Sequence, residues 1–216
     1  MTDPDLLRRA GAIAISTFAN ALDDFDLADR ILPTIKVVSP GMRFAGPAMT
    51  VRQSIDLGAT YASADFRVGA MIDAAGRGEV VVVDMGGANV STWGGMASLA
   101  AKTKGIAGLL VDGGVRDLEE MIEFDFPVFA RHMTPLTGRT RLKIEAIGEP
   151  VTVDGVAVAT GDIIVADGTG VVVLPADRAA EIVTAAEKFD ADDKAAMEDL
   201  RAGLSFTEAM AKYTRI

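Results

Sequence analysis

Arg116 and Asp117 stand side by side just after an apolar run, and Glu120 follows three positions beyond Asp117. A Gly94-Gly95 pair lies upstream, with twenty residues between Gly95 and Arg116. A planar guanidinium pairs bidentately with a carboxylate and can also steady negative charge developing on an oxygen. A neighbouring aspartate can hold a divalent cation, because magnesium keeps several waters and takes only one or two protein carboxylates. The glycine pair, followed by Met96 and Ala97, would present backbone N–H groups at a helix start, a natural seat for an anion. Each residue also has a plainer reading. Arg116 could be half of a structural ion pair with Asp112 or Asp117, and Asp117 an ordinary helix cap. Gly94-Gly95 could be an empty turn, and Glu120 a solvated helix carboxylate.

The elements around these residues decide whether they meet. Val80–Val83 reads as a strand, and Met96, Leu99, Ala100 and Thr103 fall on one face of a helix at the i, i+3, i+4, i+7 spacing. Gly105 is placed to end that helix. Ile106–Val111 carries no polar side chain, as a strand buried on both faces would. Leu118–Phe124 reads as a further helix, with Asp117 at or near its N-cap. A ten-residue helix is roughly 15 Å long, and a returning strand of six or seven residues covers roughly 20 Å. The chain therefore descends and comes back to about the same level. That geometry predicts Gly94–Ala97 beside Arg116-Asp117, in the crevice at strand ends where α/β sheets bind ligands.

The pattern Gly/Asp-x20-Arg-Asp-x2-Glu resembles the signature of the RraA-like class II pyruvate aldolases, typified by 4-hydroxy-4-methyl-2-oxoglutarate aldolase. The segments LPTIKVVSPGMRFAGPAMTVR (Leu32–Arg52) and GDIIVADGTGVVVLPADRA (Gly161–Ala179) look like family segments as well. The resemblance implies an α/β fold of the layered, swivelling-domain-like β/β/α type, as one domain over residues 1–216. It implies a lyase that uses Mg²⁺, Mn²⁺ or another divalent cation to cleave a 4-hydroxy-2-oxo acid into pyruvate and a second oxo acid. Oxaloacetate decarboxylation, which passes through the same enolate, is implied too. Arg116 and Asp117 would be catalytic, with Asp117 the metal ligand. Gly94, Gly95, Met96, Ala97 and Arg116 would bind the substrate, and Glu120 would support the metal from behind. Gly95 departs from the many aldolases that carry Asp or Glu there, an acid that holds a metal-bound water. The family also includes the inhibitor of ribonuclease E activity, in which the Arg-Asp pair is not intact. A non-catalytic regulator or binding protein is therefore the alternative. Family members are homotrimers or homohexamers, which implies the same for this chain.

Composition narrows the classes further. The chain has 216 residues, half of them hydrophobic, and no apolar run near the roughly 20 residues of a membrane helix. A formal charge of −10 argues against a nucleic-acid partner, which needs a phosphate-neutralising surface. The absence of cysteine removes disulfides, thiol catalysis and thiolate metal sites. MTDPDLLRRAG lacks a signal-peptide pattern, and a cytoplasmic location is expected. His132, the one histidine, reads as structural or peripheral, and Trp93 as packing beside the site.

Along the rest of the chain, Ala10–Asp29 reads as one or two helices, SPGMRF (Ser39–Phe44) as a turn, Ala48–Val51 as a short strand and Phe66–Ala75 as an amphipathic helix. Pro127–Ala130 reads as a strand. Lys143–Ile147, Val151–Val153, Val156–Val158, Ile163–Val165 and Val171–Leu174 read as short strands in hairpins. The tail from Ala176 is helical, with a Ser205-x-x-Glu208 capping box before its last helix.

Overall fold

The computed structural model describes residues 2–39 and 41–213, so Pro40 of the expected turn lies outside the described residues. The chain opens with helices α1 (Pro4–Ala12) and α2 (Ile15–Asp24), then short strands β1 (Ile31–Leu32) and β2 (Lys36–Val37). Next come β3 (Phe44–Ile55), α3 (Val68–Ala74), β4 (Val80–Trp93), α4 (Gly95–Lys104), β5 (Gly108–Val115), α5 (Leu118–Glu123) and β6 (Val128–Met133). Strands β7 (Leu142–Ile147), β8 (Val151–Val153), β9 (Val156–Val158), β10 (Ile163–Asp167) and β11 (Gly170–Leu174) precede helices α6 (Ala179–Arg201) and α7 (Phe206–Lys212). Extended backbone at Ile13 and Ala14 divides the first helical region in two. At α7 the expected box forms, with Ser205 Oγ accepting the Glu208 N–H and the Glu208 carboxylate accepting the Ser205 N–H.

The main sheet is mixed. Strands β3, β4, β5 and β6 run parallel, while β10, β11 and β1 extend it antiparallel from β3. At the other end β2 joins β6 antiparallel, and β7 pairs with the far half of β3. Strands β1 and β2 close opposite ends of the strand order, yet only Pro33–Ile35 separates them in the chain. Such a link reaches about 15 Å at most. The sheet must therefore curl until its ends approach.

Side-chain alternation fills both sides of the curl. Val80, Val82, Leu110, Phe44 and Phe129 point inward with Val153 and Val158 of the β8–β9 hairpin. There Phe44 meets Phe129 edge-on at 5.1 Å. Val81, Val83, Leu109 and Val111 point outward beneath α3, α4 and α5, while α1, α2 and α6 cover β10 and β11. The two central parallel strands are buried on both faces over Val80–Val83 and Leu109–Val111, which is why those segments read as unbroken aliphatic runs.

The β8–β9 hairpin is tied down by a charged network. Arg131 Nε donates to Asp112 at 2.6 Å and Arg131 Nη2 to Asp154 at 2.7 Å. Asp154 sits at the hairpin turn with φ 53°, and it also accepts the N–H and hydroxyl of Thr34, both at 2.6 Å. Burial works to raise the Asp154 pKa, but the Thr34 hydrogen bonds and the Arg131 charge prevail and hold it below the usual carboxylate value. Asp112 accepts the Asp154 N–H as well, so it is committed to this network and not to Arg116.

Several strands exceed their expected bounds. The short strand at Ala48–Val51 is the middle of twelve-residue β3, and Val80–Val83 begins fourteen-residue β4. Beyond Asp84, β4 continues irregularly past Gly86 and Gly87, whose φ of 57° and 79° let it bulge. Among the described residues, no helix is long and apolar enough to cross a membrane.

Candidate functional site

Strands β4 and β5 end together. The Arg116 N–H donates to the Trp93 carbonyl at 3.0 Å, so the residues after β5 emerge beside the residues that start α4. Trp93 is buried and stacks on Phe126 at 6.2 Å. Its Nε1 donates to Ser98 Oγ, which donates in turn to the Gly94 carbonyl, each at 3.0 Å. These contacts fix the first turn of α4 against the strand ends.

Asp117 does not cap α5 with its side chain. Its backbone is left-handed (φ 62°, ψ 52°), and no side-chain cap bond forms. That conformation turns the carboxylate back toward α4, where Oδ2 accepts the Gly95 N–H at 3.2 Å. Arg116 Nε lies 3.5 Å from the same oxygen. The two side chains remain 45% and 39% exposed, which leaves both open to a ligand. The first-turn N–H groups of Met96 and Ala97 lack acceptors within the helix, as helix starts do.

A side chain at either turn position would collide with the acids opposite. A Cβ on Gly94 would lie 2.4 Å from Asp117 Oδ2. A Cβ on Gly95 would lie 1.5 Å from Glu120 Oε2 and 2.6 Å from the Glu120 Cβ. Glu120 thus occupies the space over Gly95 that a side chain there would take. An acid is present at this spot, delivered from α5 rather than from α4.

These residues line one cavity of about 520 Å³. Its polar end holds Arg116, Asp117, Glu120 and the backbone of Gly94–Ala97. Its other walls come from Phe66, Val68, Gly69 and Ile72, with Ser91, Thr92 and Thr137 at the base of β4. Arg116 and Asp117 also border a second recess beside Leu118, Met133 and Pro135. All seven residues singled out from the sequence are therefore neighbours. Phe66, the α3 residues, Ser91, Thr92 and Thr137 were not singled out, because Phe66–Ala75 carries only the signal of an ordinary amphipathic helix, whereas Trp93 lines the cavity as expected of a residue packing beside the site.

One sequence expectation needs correction. The apolar face of α4 through Met96, Leu99, Ala100 and Thr103 is turned outward, with Met96 84% and Leu99 47% exposed. The buried face is Gly95, Ser98 and Ala101. The helix lies so close to the strand ends that only small residues fit beneath it. His132 lies outside the cavity lining, with Nε2 3.0 Å from the Gly87 carbonyl. Lys102 reaches Asp125, and Lys104 reaches the carbonyls of Ile72 and Asp73.

Among the described residues, no group of three or more His, Cys, Asp or Glu gathers to cage a metal. The donor set at the polar end suits a hydrated hard cation instead. Asp117 offers an exposed carboxylate, and Glu120 stands beside it over Gly95.

An uncharacterized Methanocaldococcus jannaschii protein is 37% identical over 60% of this chain and 62% of its own length, so the chain spans less than two thirds of that relative. The 4-hydroxy-4-methyl-2-oxoglutarate aldolase of Thermus thermophilus is 34% identical over 62% of this chain and 76% of its own. The structure of Streptomyces coelicolor RraAS2, described as an unusual member of the RNase ES inhibitor RraA family, superposes with a TM-score of 0.81 at 27% identity. It covers 93% of this chain and 100% of its own. The RraA-like family model (Aldolase/RraA) matches residues 15–173, and the chain belongs to that family.

Proposed function

We propose that the chain is a divalent-metal-dependent lyase that cleaves a 4-hydroxy-2-oxo acid to pyruvate and a carbonyl compound. The observation that carries the proposal is the left-handed turn at Asp117. It brings a part-exposed carboxylate, held by the Gly95 N–H and Arg116, together with a half-exposed guanidinium and the amide-lined start of α4 to one cavity wall. The named aldolase relative supports the reaction class.

The residues divide the work by their chemistry. The N–H groups at the start of α4 hold the substrate carboxylate, aided by the helix dipole. Arg116 lies against the 2-oxo oxygen and steadies the negative charge that gathers there during cleavage. The C4 hydroxyl gives up its proton and the C3–C4 bond breaks. Its electron pair moves into the C2–C3 bond while C4 becomes a carbonyl, and the resulting enolate takes a proton at C3 to give pyruvate. Glu120, facing the cavity beside Gly95, is placed to accept the hydroxyl proton through one water. A divalent cation held on Asp117 would act as a Lewis acid toward the 2-oxo group. The same layout serves oxaloacetate decarboxylation, where carbon dioxide leaves in place of the carbonyl fragment. Among the described lining residues there is no lysine.

We also propose a homotrimer or homohexamer. Exposed Met96, Leu99 and Ile122 on neighbouring α4 and α5 give an apolar surface for a second copy beside the site. A substrate panel supplemented with Mg²⁺ or Mn²⁺, read by coupled pyruvate detection, tests the lyase. Pyruvate release that EDTA abolishes supports it, and release that survives EDTA refutes the metal role. The likeness to RraAS2 favours a second reading, a regulator that binds a ribonuclease. Recovery of a ribonuclease on the immobilised chain, with no oxo acid cleaved, would support that reading instead.

A further inference from the structure

We infer that the cavity continues from its polar end into a subsite for an uncharged alkyl group, walled by α3 and the second turn of α4. The substrate would then be a 4-hydroxy-2-oxo acid whose C4 carries a hydrocarbon chain in place of a second carboxylate. This inference rests on the lyase reading.

Size is the first argument. A cavity of about 520 Å³ lies in the range that takes a drug-sized ligand, well beyond a three-carbon oxo acid. The lining shows where the extra space lies. Ala100 carries the α4 wall about one turn beyond the first amides, the step from Met96 to Ala100 being about 6 Å at 1.5 Å per residue. Opposite them stand Phe66, Val68 and Ile72, all apolar. Gly69 leaves open space, since a Cβ there would meet nothing within 4 Å.

Charge is the second argument. Among the described lining residues Arg116 is the one cation, set beside the carboxylates of Asp117 and Glu120. A second carboxylate on the substrate would meet no further cation among the described lining residues, and the Ser91 and Thr92 hydroxyls already donate to the Trp93 carbonyl and Gln53 Oε1. The basic residues nearby are engaged elsewhere. Arg139 donates to Ser63 Oγ, Arg141 to the Thr137 carbonyl and Lys104 to the carbonyls of Ile72 and Asp73. Arg67 is exposed and takes no part in the lining.

Calorimetric binding of saturated 2-oxo acids, which cannot be cleaved, reads the arm independently of turnover. In the presence of MgCl₂, 2-oxohexanoate should bind about fifteenfold tighter than 2-oxobutanoate, at about fourfold per buried methylene. Binding of 2-oxoglutarate should be no tighter than that of 2-oxobutanoate. Gly69→Leu, at an exposed position with room for the side chain, should erase the gain from chain length. Gly69→Arg should make 2-oxoglutarate the tightest of the three. Tighter binding of 2-oxoglutarate than of 2-oxohexanoate by the unaltered chain, or affinity independent of chain length, overturns the inference. Failure of the lyase reading shows separately, as absence of pyruvate from every hydroxy-oxo acid in the coupled assay.

Discussion

Gly95→Ala is the smallest change that tests how the site is packed. The added methyl would sit 1.5 Å from Glu120 Oε2, 2.5 Å from its Cδ and 2.6 Å from its Cβ. Rotating the Glu120 carboxylate away relieves the first two contacts. The Cβ contact persists, because it is fixed by the α5 backbone, so α4 and α5 must separate. Overpacking of this kind typically costs about 1–3 kcal/mol. The better helix propensity of alanine offsets up to about 1 kcal/mol of that. A net loss of about 1–2 kcal/mol would lower the melting temperature by about 2–8 °C for a chain of this size. Urea unfolding of the two single variants and the double variant gives the decisive cycle. In a Glu120→Gly background, Gly95→Ala should be neutral or stabilising, which gives a coupling of about 2 kcal/mol. If Gly95→Ala is harmless in the unaltered chain, Glu120 does not stand over Gly95 and the packing argument fails.

Other consequences follow from the same geometry. Trp93 is the single tryptophan and lines the cavity. Its emission should be quenched by Mn²⁺ far more than by Mg²⁺, and Asp117→Asn should remove that quenching. Asp154→Asn keeps a residue that tolerates the left-handed turn but removes the charge facing Arg131. It should cost about 2 kcal/mol or more at pH 7 in urea unfolding. The Asp154 pKa is depressed in the fold, so its contribution is present above the ordinary carboxylate value and is lost as pH falls through the lower folded value. The stability gap between the variant and the unaltered chain should therefore close below about pH 4. A gap that persists unchanged at pH 3 would contradict this assignment. Met96→Asp, at the 84% exposed position on α4, should shift sedimentation toward the monomer if that face is the subunit contact. An unchanged sedimentation coefficient would place the contact elsewhere.

Sequence reasoning reached the strand–helix–strand unit because each of its signals is local. The aliphatic runs became β4 and β5, and Gly105 ended α4 in the left-handed conformation, with φ 83°. The meeting of Gly94–Ala97 with Arg116 and Asp117 follows from element lengths alone. What could not be read depends on approach distances. The buried side of α4 is small rather than apolar, because Ser98 and Ala101 sit against the strand ends, so hydrophobic spacing selected the outward face. The left-handed turn at Asp117 points its carboxylate to the Gly95 N–H and Arg116 instead of to the cap of α5 that the sequence also allowed. Asp112, Arg131 and Asp154 come from three separate segments, and nothing in their local spacing marks them as partners. The apolar walls from α3 belong to the cavity only because α3 packs beside α4.

The most direct trial of the account is the kcat/KM of pyruvate release at saturating Mg²⁺ for the unaltered chain, Arg116→Gln and Asp117→Asn, with urea unfolding confirming that both variants fold. Losses of about 10²–10³-fold or more are expected in each, the scale for removing a preorganised charge from a developing oxyanion. Turnover within tenfold of the unaltered chain in either variant would contradict the account.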